Sequence, residues 1–117
     1  MKTILIVDDE GTMLDFIKRI IERRGVANVL TAQTPEEAVK VYQENKPLAA
    51  FIDLHLGDAS GVDLLKNLKQ IDPNIKAYFF TGDQTFANVN PPQSLGAIAY
   101  IIKPILPPEL IKIIESL

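Results

Sequence analysis

Four short apolar runs punctuate the chain, and each ends in a polar residue suited to phosphate chemistry. They read Ile4-Leu5-Ile6-Val7 into Asp8-Asp9, Ala49-Ala50-Phe51-Ile52 into Asp53, Ala77-Tyr78-Phe79-Phe80 into Thr81, and Ala99-Tyr100-Ile101-Ile102 into Lys103-Pro104. A short apolar run with helical patterns before and after it predicts a strand buried on both faces, as in a parallel sheet. Open parallel sheets bind ligands in the crevice at the carboxyl ends of their strands. If all four runs pair in parallel, three carboxylates, a hydroxyl and an ammonium meet at one edge. That set suits a magnesium ion and a phosphoryl group.

Helical signals fill the gaps. Thr12-x-x-Asp15 resembles a capping box ahead of Leu14, Ile17 and Ile21, and Gly25 is a stop. A weaker strand over Asn28-Val29-Leu30-Thr31-Ala32 leads to Thr34-Pro35-Glu36-Glu37, which predicts an N-cap, a proline at the first helical position and a boxed glutamate. That helix should end near Asn45-Lys46-Pro47. Leu54 to Ala59 reads as loop, after which Ser60 caps a helix carrying Leu64, Leu68 and Ile71, stopped at Asp72-Pro73. Pro91-Pro92 cannot sit inside a helix without a cost of about 3 kcal/mol or more, so a short helix before Asn90 and a loop up to Gly96 are expected. A last helix starts at Pro107-Pro108 and presents Leu110, Ile111, Ile114 and Leu117. Five strands alternating with helices predict a doubly wound α/β sandwich with right-handed crossovers.

A length of 117 residues predicts one domain, 1–117, and a hydrophobic content of 47% is enough for a real core. The formal net charge of -3 offers no basic stripe, so no direct nucleic-acid partner is expected. No apolar stretch approaches the roughly 20 residues that span a bilayer, so no membrane partner is expected either. The opening Met1-Lys2-Thr3 leaves no room for a signal peptide, and the lack of cysteine fits a reducing compartment, which together predict a cytoplasmic location.

Taken singly, each site residue has a bland reading: Asp8-Asp9-Glu10 as a solvated acidic loop, Asp53 as a helix cap, Thr81 as a turn residue before Gly82, and Lys103 as a surface lysine. Their joint occurrence at four strand ends points elsewhere. Carboxylates about 5 Å apart repel by roughly 3 kcal/mol per pair at an effective dielectric near 20, so the cluster calls for a cation, and oxygen-only ligands suit magnesium. A carboxylate nucleophile can take a phosphoryl group, while a cation, a hydroxyl and a lysine stabilise its equatorial oxygens.

With Val7-Asp8-Asp9-Glu10, the strand ending at Asp53, Gly61 eight residues later, Thr81-Gly82, Gly96-Ala97, Tyr100 and Lys103-Pro104, the chain resembles a two-component response-regulator receiver domain along essentially its whole length. The resemblance implies a flavodoxin-like (βα)5 fold with a five-stranded parallel sheet of order 2-1-3-4-5. It also implies that Asp53 accepts a phosphoryl group from a sensor histidine kinase or phosphotransfer protein. Asp8, Asp9, Asp53 and the backbone carbonyl of His55 would hold Mg2+, with Asp9 the more direct ligand and Asp8 acting partly through water. Thr81 and Lys103 would engage phosphoryl oxygens, and the Lys103-Pro104 bond would be cis. Thr81 and Tyr100 would switch a face built from the fourth helix, fifth strand and fifth helix, where Ile105, Leu106 and Ile113 are apolar candidates. The domain would signal to a downstream effector or a homodimer partner and would not turn over an external substrate.

Three departures stand out. Receivers usually carry a proline where this chain has Gly57, which leaves that loop freer. His55 and Asp83 are expected to approach each other across the pocket mouth and modulate the lifetime of an aspartyl phosphate. Pro91-Pro92 interrupts the segment that normally forms the signalling helix. One other function stays open from sequence, a partner-binding module that is never phosphorylated, whereas a small phosphohydrolase with an aspartate nucleophile is disfavoured by the short length and by the position of Asp53 on the third strand. A nucleotide-binding domain is disfavoured because neither G-x-G-x-x-G nor G-K-[ST] is present.

Overall fold

Alternate residues of the apolar runs point to opposite faces of one sheet, and each face is covered by its own helices. The structure is a computed structural model that describes all 117 residues. Strands β1 (Thr3–Val7), β2 (Asn28–Ala32), β3 (Ala49–Asp53), β4 (Lys76–Thr81) and β5 (Ala99–Ile102) form a five-stranded sheet of order β2-β1-β3-β4-β5, every pair parallel. The expected flavodoxin-like order and doubly wound architecture are present.

Ile4, Ile6, Phe51, Tyr78, Phe80 and Ile101 pack on one face against α1 (Gly11–Arg23) and α5 (Pro107–Glu115) through Leu14, Ile17, Ile21, Leu110, Ile111 and Ile114. Leu5, Val7, Ile52, Ala77 and Phe79 pack on the other against α2 (Pro35–Asn45) and α3 (Gly61–Ile71) through Ala38, Tyr42, Leu64, Leu65 and Leu68. Every residue of β3 is buried, which is why its sequence runs apolar without alternation. Tyr42 is the exception in chemistry: its ring is in the core, and its hydroxyl donates to Asp72 Oδ2 at 2.8 Å, tying α2 to the end of α3. No helix is long and apolar enough to cross a membrane.

Most helix boundaries fall where the caps place them. Thr34 Oγ1 accepts from Glu37 N–H at 3.2 Å with Pro35 at the first helical position, and Ser60 Oγ accepts from Asp63 N–H at 3.3 Å. Four details differ from the sequence reading. Helix α1 begins at Gly11 with Glu10 as N-cap and no side-chain cap, so Thr12 lies inside the first turn. The Glu37 carboxylate bonds Gln33 N–H, one residue outside the expected box. Ile71, the last residue of α3, is 37% exposed rather than part of the core. The stretch after Asp53 is not plain loop: His55–Leu56 pairs antiparallel with Ala59–Ser60 around Gly57-Asp58. Gly57 has φ 63°, a conformation closed to proline and suited to the first position of a two-residue hairpin turn. The glycine therefore orders this loop in a shape of its own.

Beyond β4 the chain forms a six-residue α4 (Gln84–Val89), then a 3-10 turn over Pro92–Leu95 closed by Gly96 at φ 88°. The expected short helix is there, and the expected loop contains one tight turn. The Lys103-Pro104 bond is cis.

Gly61 fixes α3 against the end of β3. It is buried, its N–H donates to Leu54 O at 2.8 Å, and a Cβ there would overlap the carbonyl oxygen of Asp53. Gly61→Ala is expected to destabilise the fold by about 1–3 kcal/mol, the usual cost of forcing extra volume into a packed interior. Urea denaturation followed by far-UV circular dichroism measures it, since the chain has no tryptophan. An unchanged midpoint would show that the β3–α3 junction can relax.

Candidate functional site: an acidic pocket at the carboxyl edge of the sheet

The strand ends converge as the parallel register requires. Asp8 and Asp9 follow β1, Asp53 ends β3, Thr81 ends β4 and Lys103 follows β5. Backbone bonds hold each in place: Asp8 N–H donates to Ala32 O at 3.1 Å, Leu54 N–H to Phe80 O at 3.1 Å and Lys103 N–H to Thr81 O at 2.8 Å. Oxygens of Asp8, Asp9 and Asp53 lie within 4.8 Å of one another. Asp8, Asp53 and Thr81 are the buried polar residues of the fold, whereas Asp9 is exposed at the rim.

Lys103 reaches across the pocket. Its Nζ lies 3.2 Å from Asp8 Oδ2 and 2.5 Å from Asp53 Oδ2, so one ammonium bridges two buried carboxylates. The remaining carboxylate oxygens are met by main chain: Glu10 N–H donates to Asp8 Oδ1 at 2.9 Å and His55 N–H to Asp53 Oδ1 at 3.1 Å. The Thr81 hydroxyl accepts from Asp83 N–H at 2.9 Å.

The electrostatics are unbalanced in a telling direction. Burial pushes the Asp8 carboxyl up to about 6 and the neighbouring Asp53 adds to the effect, although the Glu10 N–H and Lys103 oppose it. Burial alone would lower the Lys103 ammonium, but its bonds and charge interactions with Asp53 and Asp8 prevail and raise it. Three carboxylates against one ammonium leave an excess of negative charge in a pocket walled by protein. An all-oxygen, carboxylate-rich donor set of this kind fits a hard divalent cation such as magnesium.

The structure does not join His55 to Asp83. Both are exposed, no ion pair links them, and the Asp83 carboxylate is committed to capping α4 by accepting from Phe86 N–H at 2.9 Å. Tyr100 is half-buried, stacked at 6.3 Å on Phe79 and edge-on at 6.3 Å to Phe86, with its hydroxyl donating to Asn90 O at 2.8 Å. Asn90 and Phe86 were not singled out by sequence, and the one signal for Asn90 was its place before Pro91, where a helix must stop. Ile105 and Ile113 are half-buried and Leu106 is 55% exposed. Beside the acidic pocket, Met13, Phe16, Pro104 and Ile105 line an apolar groove.

These features define an open parallel α/β protein with an acid, hydroxyl and lysine pocket at its topological edge. Residues 4–115 match the response regulator receiver domain family, and the chain belongs to it. It is 35% identical over 108 residues to the transcriptional regulatory protein YvrH of Bacillus subtilis, covering 92% of this chain and 45% of that protein. It is 31% identical over 115 residues to the chemotaxis protein CheY of Thermotoga maritima, covering 98% and 96%. A receiver domain structure from Clostridium thermocellum superimposes with a TM-score of 0.88 at 30% identity, over 99% of this chain and 93% of that one. The chain is thus a receiver domain of two-component signalling, and it spans less than half the length of YvrH.

The raised Asp8 carboxyl has a consequence for stability. An acid that binds its proton more tightly when folded makes stability fall as pH rises, here between its ordinary value of 3.8 and about 6, and the cost is fully present above that. At neutral pH and in chelator, Asp8→Asn is expected to be more stable than the native chain by about 3 kcal/mol, in line with 1.36 kcal/mol per pKa unit. Its stability should lose the downward slope between pH 4 and 6. Parallel urea-denaturation profiles for the two proteins across that window would refute the assignment of strain to Asp8.

Proposed function

We propose that residues 1–117 act as a phosphoacceptor domain in which Asp53 takes a phosphoryl group from a phosphohistidine on a sensor histidine kinase or phosphotransfer protein. The observation that carries this reading is the bridge of Lys103 across Asp53 and Asp8 at 2.5 and 3.2 Å, which presents a held carboxylate beside a cation shared between two acids. Asp53 attacks phosphorus through a carboxylate oxygen, an acyl phosphate bond forms, and the bond to the histidine nitrogen breaks with its electron pair leaving on the imidazole. Lys103 can follow negative charge from the Asp53 oxygen onto the transferred group, and the Thr81 hydroxyl has a proton to give to another phosphoryl oxygen. Asp8, Asp9, Asp53 and the His55 carbonyl would hold magnesium, which when bound supplies charge neutralisation for both the acidic cluster and the incoming phosphoryl group.

The readout would run through Thr81 and Tyr100. An aspartyl phosphate adds charge and acceptor oxygens beside Thr81 and Lys103. Drawing Thr81 toward it displaces the turn that follows and frees Tyr100 from its present packing, which biases the α4–β5–α5 face between two states. The output is a changed affinity for a downstream effector or for a second copy of the chain, in the cytoplasm. His55 stays at the rim as a modulator of water access, independently of Asp83.

Incubation with acetyl phosphate and magnesium tests the chemistry. Intact-mass spectrometry is expected to show one phosphoryl group on the native chain, none on Asp53→Asn, and none on the native chain in excess chelator. Absence of the adduct on the native chain with magnesium present would overturn the proposal in favour of a partner-binding module that works unphosphorylated.

A further inference from the structure

We propose that α4 is an order–disorder element: drawing the Thr81 hydroxyl onto a phosphoryl group unwinds Gln84–Val89, and this rests on the phosphoacceptor role given to Asp53 above. Helices α2 and α3 run for eleven residues each and bury Ala38, Tyr42, Leu64, Leu65 and Leu68, whereas α4 has six residues and buries none of them. So short a segment is not helical in water by propensity, because nucleation is costly and most helical stability in proteins comes from packing an apolar face. It cannot be extended either. Asn90 is extended at φ -121°, ψ 99°, as the residue before a proline must be, and Pro91-Pro92 bars any further turn.

Two pins hold the helix, and one of them belongs to the site. At the N-terminus, Asp83 caps Phe86 N–H through its carboxylate while its own N–H donates to Thr81 Oγ1 at 2.9 Å. At the C-terminus, Asn90 donates to Phe86 O from both its N–H and Nδ2 at 3.0 Å, and the Tyr100 hydroxyl fixes the Asn90 carbonyl at 2.8 Å. The Phe86 ring lies edge-on to Tyr100, so the pins touch. Thr81 makes no hydrogen bond to Asp53 in this state, and its hydroxyl must swing to reach a group attached there. That swing pulls its oxygen off the Asp83 N–H and loosens the cap. A groove of about 310 Å³ lined by Leu54, His55, Ala59, Val62 and Phe86 itself lies beside the ring. On unwinding, the ring can drop into it, which removes the edge contact from Tyr100 and releases the second pin.

Hydrogen exchange read by NMR tests this, with beryllium trifluoride and magnesium as a stable mimic of the phosphoryl group. The amides of Phe86, Ala87 and Asn90 are expected to exchange roughly tenfold faster with the mimic bound, while those of α3 are unchanged. Without the mimic, Tyr100→Phe should speed the same amides by roughly fivefold, since it removes one hydrogen bond. Pro91→Ala combined with Pro92→Ala should slow them and abolish the response to the mimic, with phosphoryl uptake from acetyl phosphate unchanged. Equal α4 exchange with and without the mimic, in a protein whose amides beside Asp53 do shift, would overturn the proposal alone. No shift beside Asp53 would instead bring down the phosphoacceptor role and the proposal with it.

Discussion

Two buried carboxylates share one lysine, and much of the molecule is arranged to make that arrangement tolerable. Asp8 and Asp53 sit at the ends of adjacent strands in the middle of the sheet, where side chains have little access to water. A buried carboxylate without partners is strongly disfavoured. Here each one receives a backbone N–H from two residues ahead, and the ammonium of Lys103 bridges them from the end of the edge strand β5, reaching past β4. The third acid, Asp9, escapes the problem by remaining exposed. The outcome is a pocket that is satisfied in hydrogen bonds yet short of positive charge. The same shortage suits the three carboxylates to a hard divalent cation.

That logic explains which parts of the fold the sequence made legible. The strands could be read because a parallel sheet covered on both faces demands uninterrupted apolar runs, and β3 buries all five of its residues. Asp8, Asp9, Asp53, Thr81 and Lys103 could be read because a strand end is a fixed address: once the runs are parallel, the residue after each must lie on the same edge. Caps at Thr34 and Ser60 and the termination of α4 were legible for a similar reason, since each depends on one local hydrogen bond or on one proline.

What sequence reasoning missed depends on contacts between distant segments. Thr12 has the look of a cap, yet Glu10 takes that position because the Asp8 carboxylate claims Glu10 N–H and sets the course of the chain into α1. Asp83 looked free to meet His55, but a helix N-terminus immediately after it offered a nearer set of unpaired donors. The hairpin after Asp53 follows from a positive φ at Gly57, which a glycine permits without announcing. The tether from Tyr100 to Asn90 joins β5 to the end of α4, and no pattern within either segment carries that information.

The two crossings that flank the pocket differ in rigidity, and the difference follows from packing. After β3 the chain turns into α3 through Gly61, so close to the Asp53 backbone that no side chain fits between them, and α3 then buries four residues. After β4 the chain turns into α4 through exposed Gly82 and Asp83, and nothing in that helix is fully buried. A charge change at Asp53 therefore meets a firm wall on one side and a yielding one on the other. In a close-packed interior, displacement goes where contacts are fewest and weakest. The crossing that leads from Thr81 into α4 is the softer of the two, and the proline pair that shortens α4 keeps it so.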